Sequence, residues 1–100
     1  SKETCQLFTT ETSKISRRGL GFDKPDADDP KKGNCAPAAP AEVYGHTGFT
    51  GTCAWVDPMN ELVYVFLSNR IYPDVTNRKL NQLHIRERIQ GAIYDAMKKK

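Results

Sequence analysis

The chain has 100 residues, 38% of them hydrophobic and 27% charged, with nine aromatic residues and a formal net charge of +3. That length accommodates one small domain, because single cores occupy about 100–150 residues, and an apolar fraction below the usual ~45–50% predicts a modest core. No run approaches the ~20 apolar residues of a membrane span and no signal peptide opens the sequence; a first residue of Ser rather than Met reads as a processed chain or an excised piece.

Residues 3–12 suggest the turns of a short helix, against the preference of their β-branched and small polar residues. The stretch 16–23 alternates Leu20 and Phe22 with Gly19 and Gly21, which reads as a strand with a bulge or a close backbone approach. Arg17 and Arg18 at its start read as a solvated strand end, with a substrate-anion role as the lesser reading. From Lys24 to Pro40 four prolines punctuate Asp, Lys, Ala and Gly residues. So few large apolar groups cannot offset the entropy of ordering, so residues 24–41 are expected to form a mobile loop.

The next block is rich in β-branched and aromatic residues. With 43–48 ahead of them, segments 51–57 and 61–68 predict a hairpin whose turn is Asp57-Pro58-Met59-Asn60. Pro58 presets the first corner and Asn60 tolerates a left-handed one. Leu62, Tyr64 and Phe66 point one way while Val63, Val65 and Leu67 point the other, so this strand expects cover on both faces. Trp55, Tyr64 and Phe66 read as core, and Asn69 as a cap of the turn that follows.

Ile85, Ile89, Ala92, Ile93 and Ala96 recur at helical spacing, predicting a helix over about 77–98 with Thr76 or Asn77 as its N-cap. The expected fold is therefore α+β: an antiparallel sheet of three to four strands (about 16–23, 43–48, 51–57 and 61–68) with the C-terminal helix on one face. Nothing in the sequence covers the other face, and the piece looks incomplete.

The sequence pI of 8.8 raises nucleic acid as a partner, but the excess sits in one place. From Arg78 onward seven basic residues (Arg78, Lys79, Arg86, Arg88, Lys98, Lys99, Lys100) face Glu87 and Asp95. Cations near a helix C-terminus answer its dipole, and no aromatic interleaves the lysines as base stacking requires. Nucleic-acid binding is therefore not expected. Cys5, Cys35 and Cys53 are three, widely spaced, which excludes a disulfide framework and a Cys-x-x-Cys site. Free thiols are expected, with Cys53 packed in a strand; one disulfide in an oxidising compartment stays open. His84 and His46 lie 38 positions apart with no carboxylate cluster between them, so neither a metal nor a cofactor is expected.

Tyr44-Gly-His-Thr-Gly-Phe-Thr-Gly51 places glycines, threonines and one histidine at the mouth of the hairpin. Glycines admit a ligand to the backbone, free N–H groups bind an oxyanion, and a histidine changes charge near neutral pH. His46-Thr47-Gly48, the strand to Pro58, the turn, the strand ending Ser68-Asn69-Arg70, Tyr72-Pro73 and a last helix together resemble the end of the serine β-lactamase and penicillin-binding-protein superfamily. The family carries a Lys-Thr-Gly box there, with His-Thr-Gly in some members. The nearest likeness is to the β-lactamase-like modules appended to family 3 glycoside hydrolases, the β-N-acetylhexosaminidases.

The resemblance implies a partial β-lactamase-like fold, with residues 1–100 as the C-terminal segment of such a domain. It implies that His46 and Thr47 line the pocket and contact a substrate carboxylate or the reacting centre, that Gly48 keeps the strand edge open, and that the Phe49 amide is half of an oxyanion hole. It also implies a periplasmic or secreted protein and a small-molecule or cell-wall-derived substrate, with the remainder of the parent hydrolase domain as partner. The chain departs from the pattern in holding no Ser-x-x-Lys, no Tyr-x-Asn and no Ser-x-Asn, so it is expected to be inactive alone. A histidine where the family has lysine weakens the grip on a penicillin-type carboxylate, which points to an ester, peptide or cell-wall amide as substrate. Two functions follow: a fragment of a serine hydrolase module, or a non-catalytic binding module that kept the sheet and lost the chemistry.

Overall fold

The computed structural model describes residues 1–11, 16–26 and 33–98. The elements are α1 (Lys2–Thr9), β1 (Tyr44–Thr47), β2 (Cys53–Asp57), β3 (Leu62–Phe66), α2 (Lys79–Gln82) and α3 (Ile85–Lys98). The strands form one antiparallel sheet in the order β1-β2-β3, so the architecture is the α+β arrangement expected of the sequence. α1 is capped by Ser1, whose hydroxyl accepts from the Thr4 amide at 3.2 Å, an ordinary N-cap.

The fourth strand, expected over 16–23, is absent: the segment makes one antiparallel bridge, Asp23 to Gly45, on the outer edge of β1. Its glycines explain why. Gly21 takes a left-handed φ of 96°, and a Cβ at Gly19 would lie 2.6 Å from the Phe8 carbonyl oxygen. The backbone therefore turns toward α1, with the Leu20 amide donating to Phe8 O at 3.0 Å, instead of running along the sheet.

The β2–β3 turn forms where expected, but the left-handed residue is Glu61, with φ 52°, and not Asn60. Asp57 organises the turn. Its Oδ1 accepts from the Met59 and Asn60 amides at 2.9 and 3.1 Å, and its Oδ2 from Asn60 Nδ2 at 2.8 Å. After β3 the turn closes on the Asn69 carbonyl, which accepts from Tyr72 N at 3.3 Å; among the described residues the Asn69 side chain makes no capping bond.

The helix expected over 77–98 is broken in two. His84 adopts φ 50°, a left-handed conformation that ends α2, and α3 begins at the next residue. The covered face of α3 also differs from the isoleucine and alanine row. Its buried residues are Arg86, Gln90 and Tyr94, while Ile89 is exposed and Ile93 packs against the core. Two of the buried polar side chains find partners: Gln90 Oε1 accepts from the Ala36 amide at 2.8 Å, and the Tyr64 hydroxyl donates to Arg86 O at 3.0 Å. Burial of polar groups is tolerated because these bonds replace water.

The core gathers Cys35, Val43, Cys53, Trp55 and Tyr64, with Ala39, Phe66 and Ile93 against it. Side-chain alternation puts Cys53, Trp55 and Tyr64 on this covered face. The opposite face carries His46, Ala54, Val56, Val63 and Val65 through the pairs His46–Ala54, Val56–Val63 and Ala54–Val65. It is bare: Val63, Val65 and Leu67 are 65%, 56% and 79% exposed. The double-faced apolarity of β3 thus meets cover on one side only.

Of the segment 24–41, residues 27–32 lie outside the described residues, as do Lys99 and Lys100 of the basic tail. The described remainder forms no helix or strand, yet Lys24, Cys35 and Ala36 are buried. Lys24 Nζ donates to the carbonyls of Thr9 and Val43 at 2.6 and 3.2 Å, so the start of the segment is tied to the end of α1 and to the residue just ahead of β1. Among the described residues no helix is long and apolar enough to cross a membrane.

Candidate functional site

The Tyr44–Gly51 block occupies β1 and the loop to β2. The Gly48 amide donates to Thr52 O at 2.8 Å and the Gly51 amide to Gly48 O at 3.0 Å, closing a tight turn over Phe49 and Thr50. The turn requires its glycines: Gly51 sits at φ 95°, and a Cβ at Gly48 would run into the Thr52 hydroxyl. Two bonds tie this loop to the end of β3: Ser68 Oγ and the Arg70 amide both donate to Thr50 O, at 3.2 and 2.8 Å.

Beneath the loop, α3 contributes Arg86. Its Nη1 donates to Gly51 O and Thr52 O at 3.4 and 3.3 Å, and its Nη2 to Asn81 Oδ1 at 2.9 Å, while Nε is buried without a partner. A guanidinium, with several donors in a fixed fork, therefore serves as the floor of the loop.

His46 is exposed on the bare face. Its Nδ1 lies 2.6 Å from Thr47 O, and a carbonyl can only accept, so Nδ1 carries the proton. Nε2 is then the acceptor for Arg18 Nη1 at 3.2 Å. This arrangement is one only the neutral imidazole permits. Thr47 pairs with buried Cys53, so its side chain lies on the covered face and does not share a surface with His46. Phe49 is 69% exposed, with the Arg70 guanidinium 4.7 Å from its ring centroid. Among the described residues no group accepts from the Phe49 amide. Of the four residues singled out in the sequence, the structure brings His46, Gly48 and Phe49 to one open end of the sheet, and Thr47 reaches it through its carbonyl.

The segment before β1 is held by an ion pair. Arg17 Nε and Nη2 donate to Asp23 Oδ1 and Oδ2 at 2.8 and 3.1 Å, and Asn34 Nδ2 donates to Asp23 Oδ2 at 3.0 Å. Burial alone would raise the Asp23 pKa, but Arg17, Asn34 and the Lys24 amide outweigh it and hold the carboxyl below its ordinary range. Burial also pushes the Cys35 and Cys53 thiols up, which favours the protonated form over the thiolate. All three cysteines are free thiols, Cys5 at the surface. Among the described residues no group of three or more His, Cys, Asp or Glu side chains is placed to hold a metal ion.

Arg86 draws no notice in the sequence, and Arg18 reads there as a solvated strand end before it reads as a substrate-anion contact. The doublet Arg17-Arg18 held a usable signal: neighbours in an extended chain point opposite ways, so one cation facing the buried Asp23 leaves the other facing out. Arg86 carried none, because a basic residue in a basic helix looks solvated.

A cavity of about 750 Å³ lies between α1 and the β2–β3 turn, lined in part by Cys5, Thr9, Lys24, Tyr44 and Met59, and does not include the box residues. The box is an open edge and not a closed pocket.

Comparison with known proteins adds the following. A family profile described as Beta-lactamase matches residues 3–87. A protein of Escherichia coli O157:H7 named "Putative D-alanyl-D-alanine carboxypeptidase" is 33% identical over 81 residues, covering 81% of this chain and 18% of that protein. Proteins of the same name from E. coli strain K12 and Salmonella gallinarum are 33% identical over 79 residues, again covering 18% of their length. The chain thus spans under a fifth of the curated relatives it matches. No solved structure gives a significant match.

Proposed function

The chain belongs to the beta-lactamase family, and from that premise we propose that it is the C-terminal, His-Thr-Gly-bearing part of a serine hydrolase domain whose nucleophile lies elsewhere in the protein. The observation that carries this is the state of the Phe49 amide: it follows the box directly, sits at an open sheet end, and has no acceptor among the described residues. An unengaged amide beside a substrate edge is what an oxyanion hole requires. His46 lines the site, Thr47 fixes its ring through the carbonyl, and Gly48 keeps the strand edge clear.

The site is incomplete as it stands. The chain contains no Ser-x-x-Lys and no Tyr-x-Asn, so it has no activated serine to attack a carbonyl. The bare face carrying His46 also exposes Val63, Val65 and Leu67, which supports a covering layer from the remainder of the parent domain. The relatives' name supports a peptide ending in D-alanine as the substrate class, within a cell-wall or glycan-related hydrolase working in the periplasm or outside the cell. Fusion to a β-N-acetylhexosaminidase belongs to the same reading.

Labelling of the complete protein with a fluorophosphonate tests it. Modification of one serine upstream of this chain is expected; failure of every serine to react overturns the hydrolase and leaves the second reading, a binding module that kept the sheet. That alternative is favoured by the missing Ser-x-x-Lys alone. Rapid nitrocefin hydrolysis would contradict the expectation of an ester, peptide or amide substrate.

A further inference from the structure

We propose that Arg18 is the anion-recognising residue of this site, supplying the positive charge that a neutral His46 does not, and that it takes the carboxylate of an acyl substrate. The proposal rests on the reading above that the box borders a substrate site.

The two adjacent arginines have separate fates. Arg17 is consumed by the fold: its guanidinium is spent on Asp23 and on Lys24 O, which accepts from Nε at 3.0 Å. Arg18 has no carboxylate partner among the described residues. Its Nη1 donates to His46 Nε2 at 3.2 Å and more distantly to Gly21 O at 3.5 Å, while Nε and Nη2 engage no described group. A permanently charged fork is therefore held at the box with donors to spare, the geometry that suits a planar carboxylate.

His46 gains from the same contact. With Nδ1–H committed to Thr47 O, the ring offers a ligand anion only the Nε2 lone pair, which would repel it. Arg18 covers that lone pair and turns the edge from acceptor to cation. The bridge from Asp23 to Gly45 and the Arg17–Asp23 pair set the register that brings residue 18 to residue 46, so the positioning is built into the fold and does not depend on a free side chain finding its partner.

The test is an NMR titration of the 100-residue chain with N-acetyl-D-alanine and, separately, with its methyl ester. The acid is expected to move the Arg18 Nε–H and His46 ring signals along a saturating curve, and the ester to leave them in place. Arg18→Gln, checked for an unchanged amide spectrum, is expected to weaken association with the acid at least about threefold, the scale of an exposed charge pair; Arg18→Lys recovers part of it. Equal shifts from acid and ester, acid binding by Arg18→Gln as tight as wild type, or no response to the acid would each overturn the proposal. Should Arg18→Gln fail to fold, the acid–ester comparison on the wild-type chain and the Arg18→Lys variant still decide it. Binding needs no nucleophile, so a positive titration beside failed serine labelling would remove the hydrolase and keep the anion site.

Discussion

The Tyr94 hydroxyl donates to Asp57 Oδ2 at 2.6 Å across 37 residues of sequence, joining the last helix to the turn between β2 and β3. Both residues are buried. The bond sets the depth at which α3 lies on the sheet, and so the height at which Arg86, two turns earlier, meets the box loop. Tyr94→Phe keeps the ring and removes the donor to an ionised acceptor. A loss of about 1.5–3 kcal/mol is expected, read as a lower urea midpoint with an unchanged slope.

Acid should unfold the chain through two carboxylates. Burial alone would raise the pKa of Asp57, but Tyr94, Asn60 and the Met59 amide outweigh it and hold it below 3.8; Asp23 is held down likewise by Arg17 and Asn34. A folded-state pKa below the unfolded one contributes stability above the unfolded value and loses it as pH falls through the folded value. Thermal unfolding should therefore be nearly independent of these groups from pH 7 to about 5 and fall steeply below about pH 4. Asp57→Asn and Asp23→Asn should each start lower at pH 7 and decline less with acid; an acid limb as steep in both variants as in wild type would exclude these carboxylates as its cause.

The sheet was legible because β-propensity and alternation state it locally: Trp55 and Tyr64 read as core and are core, and Val63 and Val65 read as a second apolar face and are one. Box residues were legible as a motif for the same reason. What sequence did not show depends on contacts made at a distance. The break at His84 needs a backbone angle that no composition announces, and the failure of 16–23 as a strand follows from Gly19 meeting the Phe8 carbonyl. The helix face was misread by one position, since Arg86, Gln90 and Tyr94 look like solvent-facing residues until their partners Gly51, Ala36 and Asp57 are known. Arg17 and Arg18 are alike in the sequence, and only the bonds from Arg17 to Asp23 separate the structural arginine from the one left facing out.

Arg86 should govern the order of the box loop more than the overall fold. Its guanidinium bridges Gly51 O, Thr52 O and Asn81 Oδ1 with no carboxylate among its described partners. Arg86→Met preserves much of the side-chain volume and strips those acceptors of their donors. A destabilisation of about 1–3 kcal/mol is expected, accompanied by faster amide exchange at Gly48 and Gly51 than at Trp55 or Tyr64. Uniform acceleration across the sheet would mean that Arg86 supports the core as a whole and not the loop.

The bare sheet face yields the last expectation. Val63 and Val65 are more than half exposed on a surface continuous with Ala54 and Val56, where a buried core position would cost several kcal/mol on becoming polar. Here the side chains already meet water, so Val63→Thr and Val65→Thr should each change stability by less than about 0.5 kcal/mol. The same face is an apolar patch of the kind that drives association, so the double variant should stay monomeric, by light scattering, at concentrations where the parent chain self-associates. Trp55→Ala, on the covered face one residue away, should cost about 3–5 kcal/mol. Comparable losses from the valine and tryptophan substitutions would show that both faces are covered in the isolated chain, and would remove the physical ground for a further layer over His46.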